Sequence, residues 1–540
     1  MKSIRTFCLL VLASGMALGQ ASQPNNSNVA DDLKTLRDAI AAQQKQIAAQ
    51  QKQLEMLQKQ LDAKMTPTPH VENATLTTTT NGAATNANMA VVQSDTEKPK
   101  SSPLSFRIGG TEFKPGGFVD FTNIFRRTNT GSAVSTGFNG IPYSNTPQGQ
   151  LTEFRSSAQY SRFNLDITGK YGENNVNGYI EADFNGNDAA NVFLTTNPHT
   201  LRLRMFYLRL TRGIWEFTAG QGYNLSTPNK VGASITPSTL DTTMSTDGNI
   251  AVGVPFGRVA QFRLVAKPSD HFAWALSVDN PQQFTGSVIL PKGFGIANQT
   301  DGATTAGVPN LFPDITTKFA YDTNPSGKNL HVEFGGLLTS AQIAVPQPGA
   351  PATGPFTKNS TIGGGVLGGF NSSLTKKFRV LAYGLYGNGV GRFFNGFAPQ
   401  FVVVPSAISP TTFTAEPSML HAGGGFGGFE WQAGSRDQIG AYYGGLWVAR
   451  NAFPDPTNAG AIIGYGGATT SAATAEAQNR AFQEGWLVIG HTLWKNPQYG
   501  AVVLFSDSNY TTRAPWFLVA GNPKNAHMFQ QRIDFKYVLP

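Results

Sequence analysis

The sequence has almost no cysteine and no grouping of potential metal ligands. Its single cysteine, Cys8, lies close to the N-terminus, in a segment that has the features of a removable leader. Disulfides, cysteine-ligated metals and thiol nucleophiles are therefore not expected in the mature chain. The seven histidines show no pair at ligand spacing, so we expect neither a metal centre nor a cofactor; they are His70, His199, His271, His331, His421, His491 and His527.

Long hydrophobic runs and charged residues are also scarce. After the leader, no stretch of about 18 apolar residues occurs, which argues against a membrane-spanning helix. Only 14% of the residues are charged, whereas there are 59 glycines and 37 phenylalanines. This composition is typical of strands and turns and is unlike that of a helical enzyme.

The positive charge is concentrated in one part of the chain. The formal net charge is +8, and from Leu104 onward there are 31 basic and 25 acidic residues, 18 of the basic ones being arginine. Arginine is suited to bidentate binding of carboxylate or phosphate. No basic cluster interleaved with aromatic residues occurs in any predicted helix or loop, so we expect no binding to nucleic acid.

Residues 1–21 have the features of a secretory signal peptide. Lys2 and Arg5 precede an apolar segment from Phe7 to Leu12, and small residues suited to cleavage follow at 17–21. The segment is too short to span a membrane. We therefore predict that the chain is exported.

Residues 22–65 are predicted to form a coiled coil, and residues 66–103 a disordered linker. One heptad position holds Leu33, Ile40, Ile47, Leu54 and Leu61, which is compatible with a coiled coil of three helices and implies self-association. A single amphipathic helix is the alternative interpretation. The linker is rich in threonine, asparagine and proline and has no periodicity, so it cannot bury a core.

From residue 104 to 540 the sequence alternates with a period of two. The stretch Leu201–Asn224 shows this best: Leu201, Leu203, Met205 and Tyr207 fall on one parity, and Arg202, Arg204 and Phe206 on the other. A short turn near Gly213 then separates two strands, which predicts a hairpin with one apolar face and one charged face.

Two environments fit such strands, a soluble sandwich and a membrane barrel. A lipid-facing arginine at the bilayer midplane costs about 2–4 kcal/mol, so in a barrel the arginines must face a wet lumen. Connections of more than twenty residues alternate with short ones, as in outer-membrane barrels; the long ones are Gly286–Pro313, Gly389–Ser418 and Asn451–Gln478. Aromatic residues near segment ends match interfacial girdles: Tyr207, Trp215, Phe217, Trp274, Trp447, Trp486 and Trp494. We predict an all-β transmembrane antiparallel β-barrel of about 16 strands, preceded by the coiled coil.

Four segments carry a resemblance to a known family: Leu201–Asn224, Arg258–Arg263, Tyr386–Arg392 and the N-terminal coiled coil. They resemble the DcaP-type trimeric outer-membrane porins, within the wider Gram-negative porins. The resemblance covers nearly the whole mature chain. It implies a trimer of barrels, a periplasmic helical bundle before each barrel, and diffusion of small, often anionic solutes. The chain departs from the family in ending at Leu539-Pro540 rather than at an aromatic residue.

A porin selects solutes with charged side chains at a constriction. The candidates for a basic side are Arg162, Arg202, Arg204 and Arg263, with Arg258 and Arg392 at positions of ambiguous parity; Asp120, Glu181 and Asp183 are candidates for an opposing acidic wall. The alternative is that these charges pair across strands and only fill the lumen. We expect no enzyme activity and predict partners comprising the lipid bilayer and lipopolysaccharide, small anionic solutes, two further copies of the chain, and peptidoglycan.

Two other functions are compatible with a barrel. A structural anchor or adhesin would use the coiled coil as its functional part, but a coiled coil that precedes the barrel is expected in the periplasm. An outer-membrane hydrolase would need a nucleophile, a base and an orienting group. Only His271 and His331 lie in strands of suitable polarity, and no serine motif accompanies them.

Overall fold

A computed structural model of the chain describes residues 102–186, 199–300, 309–323, 329–347, 350, 353–409, 412–456, 458–469 and 471–540. The chain divides into two units, Met1–Thr80 and Asn81–Pro540, and every described residue belongs to the second. The signal peptide, the coiled coil and nearly all of the linker predicted from the sequence lie outside the described residues.

Strands make up most of the described chain. They are β1 (Phe106–Ile108), β2 (Thr111–Arg126), β3 (Glu153–Ser157), β4 (Arg162–Tyr171), β5 (Asn174–Asp183), β6 (Arg202–Arg212), β7 (Trp215–Tyr223), β8 (Arg258–Ser269), β9 (Phe272–Asp279), β10 (Asp314–Thr323), β11 (Leu330–Pro346), β12 (Phe356–Thr375), β13 (Phe378–Asn388), β14 (Phe401–Ser409), β15 (Thr412–Met419), β16 (His421–Gln432), β17 (Asp437–Val448), β18 (Asn451–Pro454), β19 (Ile462–Tyr465), β20 (Asn479–Asn496), β21 (Gly500–Pro515) and β22 (Ala526–Val538).

The helices are short and lie in connections. The α-helices are Pro147–Gln150 and Ala472–Ala477, and the 3₁₀ helices are Phe138–Gly140, Pro237–Thr239, Lys292–Phe294, Ile296–Gln299 and Gly391–Phe393. Among the described residues, no helix combines the length and the apolar character needed to cross a bilayer.

Eighteen strands form one antiparallel sheet that closes on itself, because the last strand, β22, pairs with β2. β3 and β4 both pair with β2 and form one interrupted barrel strand, whereas β1 is a short extension beside the start of β2. The wall therefore has sixteen strands, as the sequence predicted. The hairpins β14–β15 and β18–β19 lie in the connections outside this wall.

Short turns and long connections lie at opposite ends of the barrel. Two residues, 213 and 214, join β6 to β7, whereas residues 224–257 join β7 to β8. The two chain ends described meet at the short-turn end: the Ser102 hydroxyl donates to the carbonyl oxygen of Pro540 at 2.9 Å, and the Leu539 N–H donates to that of Gly117 at 3.0 Å.

The predicted separation of faces is confirmed for most strands. Apolar side chains cover the outer surface, such as Leu208 (49% exposed) and Phe262 (60% exposed), while their neighbours Thr218 and Arg263 point inward and are buried. A closed sheet with an apolar exterior and a polar interior matches a hydrocarbon environment rather than bulk water.

The predicted parity is wrong in the second half of β6. The pairing of β5 with β6 skips one residue, because Glu181 pairs with Met205 and the next residue pairs with Leu203. This bulge places both Arg204 and Met205 on the inner face and reverses the alternation after them. Met205 and Tyr207 are therefore buried inside, and Phe206 is 53% exposed on the outside.

The predicted aromatic girdles need two corrections. Tyr207 faces inward because of the bulge, and Trp486 is 3% exposed and stacks on Tyr442 inside the barrel, with ring centroids 5.2 Å apart. Trp215, Trp447 and Trp494 do lie on the outer surface, each more than 40% exposed.

Candidate functional site: the constricted lumen

The connection between β7 and β8, residues 224–257, folds into the barrel, and we call it the inward loop. Its polar backbone must find partners there, and carboxylates of the wall supply them. Four loop N–H groups donate to wall side chains: Asn229 to Glu333 at 3.2 Å, Gly232 to Asp322 at 2.9 Å, Thr246 to Asp507 at 2.8 Å and Val252 to Glu484 at 2.8 Å.

Two ion pairs also hold the inward loop, and in these the loop supplies the carboxylate and the wall supplies the guanidinium. Asp241 accepts two hydrogen bonds of 2.9 Å from Arg379 on β13, and Asp247 lies 3.3 Å from Arg532 on β22. Burial alone would raise the pKa of Asp247, but the Arg532 guanidinium and the hydroxyl of Thr136 outweigh it and hold the pKa below its ordinary value. Asp247 is therefore charged at neutral pH.

Glycines in the wall let the loop backbone come close. A Cβ at Gly444 on β17 would overlap the carbonyl oxygen of Val252, and a Cβ at Gly253 would overlap that of Gly425 on β16. Gly253 also has φ of +86°, a conformation that favours glycine. The glycine-rich strands β16 and β17 therefore form a smooth inner surface against which the loop packs.

The inward loop fills one side of the lumen with apolar contacts. Met244, Ala251 and Val254 of the loop pack with inward-facing side chains of β13–β21, among them Tyr383, Phe426, Tyr442, Trp486 and Phe505. The open space remains on the other side, next to β2–β8 and β22.

A cavity lies on that open side, and its empty volume, including space open to solvent, is about 660 Å³. One wall is formed by strand residues and their neighbours: Phe118, Tyr160, Arg162, Arg204, Tyr223, Phe256, Arg258 and Lys536. The facing wall is formed by the inward loop, through Thr242, Thr246, Asp247, Gly248 and Ile250. Ile250 has φ of +54°, which a β-branched residue rarely adopts, so the loop is strained where it borders the cavity.

Three of the six predicted constriction arginines line this cavity: Arg162, Arg204 and Arg258. Arg202 is adjacent and forms two hydrogen bonds to Asp183, of 2.9 and 2.7 Å. Arg258 has no carboxylate within hydrogen-bonding distance in the described part of the chain, and its guanidinium lies 5.7 Å from the ring centroid of Tyr223.

The structure places the other two predicted arginines away from the cavity. Arg263 faces inward as predicted, but the inward loop covers it, and it donates to Gln261 at 3.0 Å and to the carbonyl oxygen of Tyr223 at 2.6 Å. Arg392 lies after β13 in the 3₁₀ helix Gly391–Phe393, where it pairs with Asp314. Parity predicts the face of a strand residue, but it predicts neither the loop that covers Arg263 nor the position of Arg392 within a connection.

The three predicted carboxylates lie beside the basic residues rather than across the lumen from them. Glu181 and Asp183 accept from Arg204 at 2.6 and 2.9 Å, and Asp120 lies 3.3 Å from Lys536. Arg162 lies 3.5 Å from Glu181. Acidic and basic side chains therefore alternate on one wall.

Lys536 was not among the predicted residues, although the alternation of β22 contains the signal for its inward position. Phe535 and Tyr537 are exposed on the outer surface, so Lys536 must face inward. Its ammonium lies 4.5 Å from the ring centroid of Phe118, while Arg162 lies 5.1 Å from the same ring. Arg162 and Lys536 therefore both form cation–π interactions with the ring of Phe118 at the cavity wall.

The two histidines considered for a hydrolase have other contacts. The ring of His331 is buried and bonds Asp322 at 2.8 Å and Glu333 at 3.2 Å, and the ring of His271 contacts the carbonyl oxygen of Asp322 at 2.7 Å. Within the described ranges, no group of three or more histidine, cysteine, aspartate or glutamate residues could hold a metal ion.

The barrel is similar to solved outer-membrane channels. The crystal structure of the outer membrane channel DcaP of Acinetobacter baumannii aligns over 81% of this chain and 100% of that chain, with a TM-score of 0.55 and 15% sequence identity. The chain has the fold of the DcaP channel. The resemblance predicted from the sequence is thereby confirmed at the level of the fold.

Two further structures align with this DcaP-like barrel less closely. The anion-selective porin from Comamonas acidovorans has a TM-score of 0.42 and 9% identity, and covers 79% of this chain and 100% of its own. Pseudomonas putida OprB has a TM-score of 0.41 and 9% identity, and covers 78% of this chain and 94% of its own. No protein-family model and no curated protein sequence matches the chain.

Proposed function

We propose that the chain is an outer-membrane porin that lets small hydrophilic solutes diffuse passively and favours anions. The closed barrel provides a polar path through an apolar layer, and the inward loop narrows that path to the cavity beside β2–β8. Such a channel makes no covalent change, so its chemistry consists of the charge and width of the constriction.

The charge on the cavity wall carries the proposal. Arg162, Arg202, Arg204, Arg258, Lys536 and Arg532 line the cavity or pair with residues beside it and supply six positive charges, whereas Asp120, Glu181, Asp183 and Asp247 supply four negative ones, which leaves a net charge of +2. A guanidinium cannot lose its proton at cellular pH. The wall therefore keeps a positive potential that raises the local concentration of anions.

We further infer how the remaining parts of the chain serve the channel. Residues 1–21 direct export, residues 22–65 form a periplasmic coiled coil that holds three copies together and reaches toward peptidoglycan, and residues 66–103 tether it to the barrel. The long connections between strands face outward toward lipopolysaccharide, as in other outer-membrane barrels.

Planar bilayers test both parts of the proposal. The purified chain should give stepwise conductance, and a potassium chloride gradient should give a reversal potential of the sign expected for chloride preference. Replacing Arg202 and Arg204 together by serine, or Arg258 alone by serine, removes positive charge from the wall and should shift the reversal potential toward cations. Lys358→Ser removes a charge from the outer face of β12 and serves as the control.

Two results would contradict the proposal. A folded chain that gives no conductance steps is not a porin. If the wild type, the double variant and Arg258→Ser conduct with the same reversal potential, these side chains do not select the permeating ions.

A further inference from the structure

The short-turn end of the barrel carries an excess of positive charge around its circumference. We call this set of turns and adjoining residues the basic rim: 107–114, 170–173, 212–215, 267–271, 376–377, 433–437 and 495–499. It contains nine basic residues (Arg107, Lys114, Lys170, Arg212, Lys267, Lys376, Lys377, Arg436 and Lys495) and four acidic ones (Glu112, Glu173, Asp270 and Asp437), a net charge of +5.

Every described turn at this end contributes at least one basic residue, so the charge surrounds the barrel instead of forming one patch. Most of these side chains are exposed, for example Arg107 at 75% and Arg212 at 69%. Lys170, Lys377, Arg436 and Lys495 are exposed and have no ion pair among the residues described. These four charges are therefore available to a partner.

Exposed aromatic side chains mark the depth at which the basic rim lies. Tyr171 (82% exposed) follows Lys170, Trp494 (43% exposed) precedes Lys495, and Trp215 (47% exposed) pairs with Arg212 across the β6–β7 turn. Tyrosine and tryptophan concentrate at the boundary between hydrocarbon and headgroups. The neighbouring cations then lie at the level of the lipid phosphates.

We propose that the basic rim binds anionic phospholipid headgroups of the bilayer leaflet on the short-turn side. A phosphate-bearing headgroup with net negative charge complements a ring of lysine and arginine, whereas a zwitterionic headgroup of the same acyl composition does not. The inference depends on the barrel lying in a bilayer but does not depend on transport or on anion selectivity.

Native mass spectrometry of the full chain in detergent tests the proposal with two lipids, dioleoyl phosphatidylglycerol and dioleoyl phosphatidylcholine. The wild type should retain more phosphatidylglycerol. The fourfold variant Lys170→Gln, Lys377→Gln, Arg436→Gln and Lys495→Gln should bind it more weakly by a factor on the order of 10 or more at low salt, because each basic residue near an anionic surface contributes roughly a fivefold change in affinity.

A matched variant carries the same kind of change elsewhere: Lys292→Gln, Lys358→Gln and Arg480→Gln remove exposed charges outside the basic rim. This variant should keep the wild-type preference for phosphatidylglycerol. Conductance in bilayers separates this inference from the proposed function, because the fourfold variant should still form open channels. Equal retention of the two lipids by the wild type, or equal binding of phosphatidylglycerol by the wild type and a conducting fourfold variant, would overturn the proposal.

Discussion

At the scale of single residues, the cavity arginines differ in whether their replacement would leave a buried carboxylate without a partner. Arg204 is 5% exposed and neutralises both Glu181 and Asp183, whereas Arg258 forms no ion pair among the described residues and its guanidinium lies 5.7 Å from the ring centroid of Tyr223. Both add positive charge to the cavity. Only Arg204 also compensates buried carboxylates, so the two arginines make different contributions to stability.

We therefore expect Arg204→Ser to destabilise the barrel and Arg258→Ser to leave its stability nearly unchanged. Loss of one partner of a buried ion pair costs about 3–5 kcal/mol, and we expect the lower end of this range because Arg202 still bonds Asp183 and Arg162 still lies near Glu181. Thermal unfolding followed by circular dichroism in detergent measures the difference. Equal unfolding temperatures for the two variants would show that the carboxylates do not need Arg204.

At the scale of elements, the inward loop narrows the lumen, and its backbone packs against a glycine of β17. The backbone of Val252 lies directly against Gly444, and Gly248 and Ile250 border the cavity on the other side. Any side chain added at Gly444 pushes the loop away from the wall and toward the open space.

Gly444→Ala should therefore lower the single-channel conductance. The overlap with the carbonyl oxygen of Val252 should also destabilise the folded state by about 1–3 kcal/mol, as overpacking commonly does. Gly485→Ala on β20 is the control, because no atom lies within 4 Å of its added Cβ. A Gly444→Ala channel with wild-type conductance would mean that the loop does not set the width.

Alternation in the sequence was sufficient to predict the wall but not the inward loop. Strands such as β5 follow their period of two without error, so the inward positions of Glu181 and Asp183 could be derived from the chain alone. The bulge in β6 was not predictable, because the skipped residue depends on pairing with β5. Arg162, Arg204 and Arg258 line the cavity, and their role at a constriction stays a prediction.

The inward loop was missed because its contacts are distant in sequence. Three other long connections were singled out from the sequence, and residues 224–257 have no periodicity that would separate them from an exposed loop. Their burial depends on partners such as Asp507, which follows Thr246 by 261 residues. Contacts of this kind form only in the closed barrel, so local sequence patterns do not predict them.

At the scale of the whole molecule, the outer surface requires an apolar medium. Large apolar side chains on the outside of neighbouring strands remain about half exposed, for example Val119, Phe163, Phe206 and Leu208. In water, this belt would promote aggregation. In a bilayer, these side chains contact acyl chains, and this contact costs little free energy.

Leu208→Arg should hinder folding into lipid vesicles, since an arginine facing the bilayer midplane costs about 2–4 kcal/mol. Leu151→Arg is the matched control: Leu151 is 54% exposed, close to the 49% of Leu208, but lies in the connection between β2 and β3. Folding yield in dioleoyl phosphatidylcholine vesicles, measured by the shift in electrophoretic mobility, should fall only for Leu208→Arg. Equal yields would place Leu208 outside the hydrocarbon.

The seam between β2 and β22 has a consequence for biogenesis. The wall cannot be completed until the final residues of the chain are present, so until then the first strand keeps an open row of hydrogen-bonding groups. An unclosed barrel sheet therefore has to be shielded from other unfinished sheets. Loss of even the last dozen residues would leave a strip of sheet with two free edges and no enclosed pore.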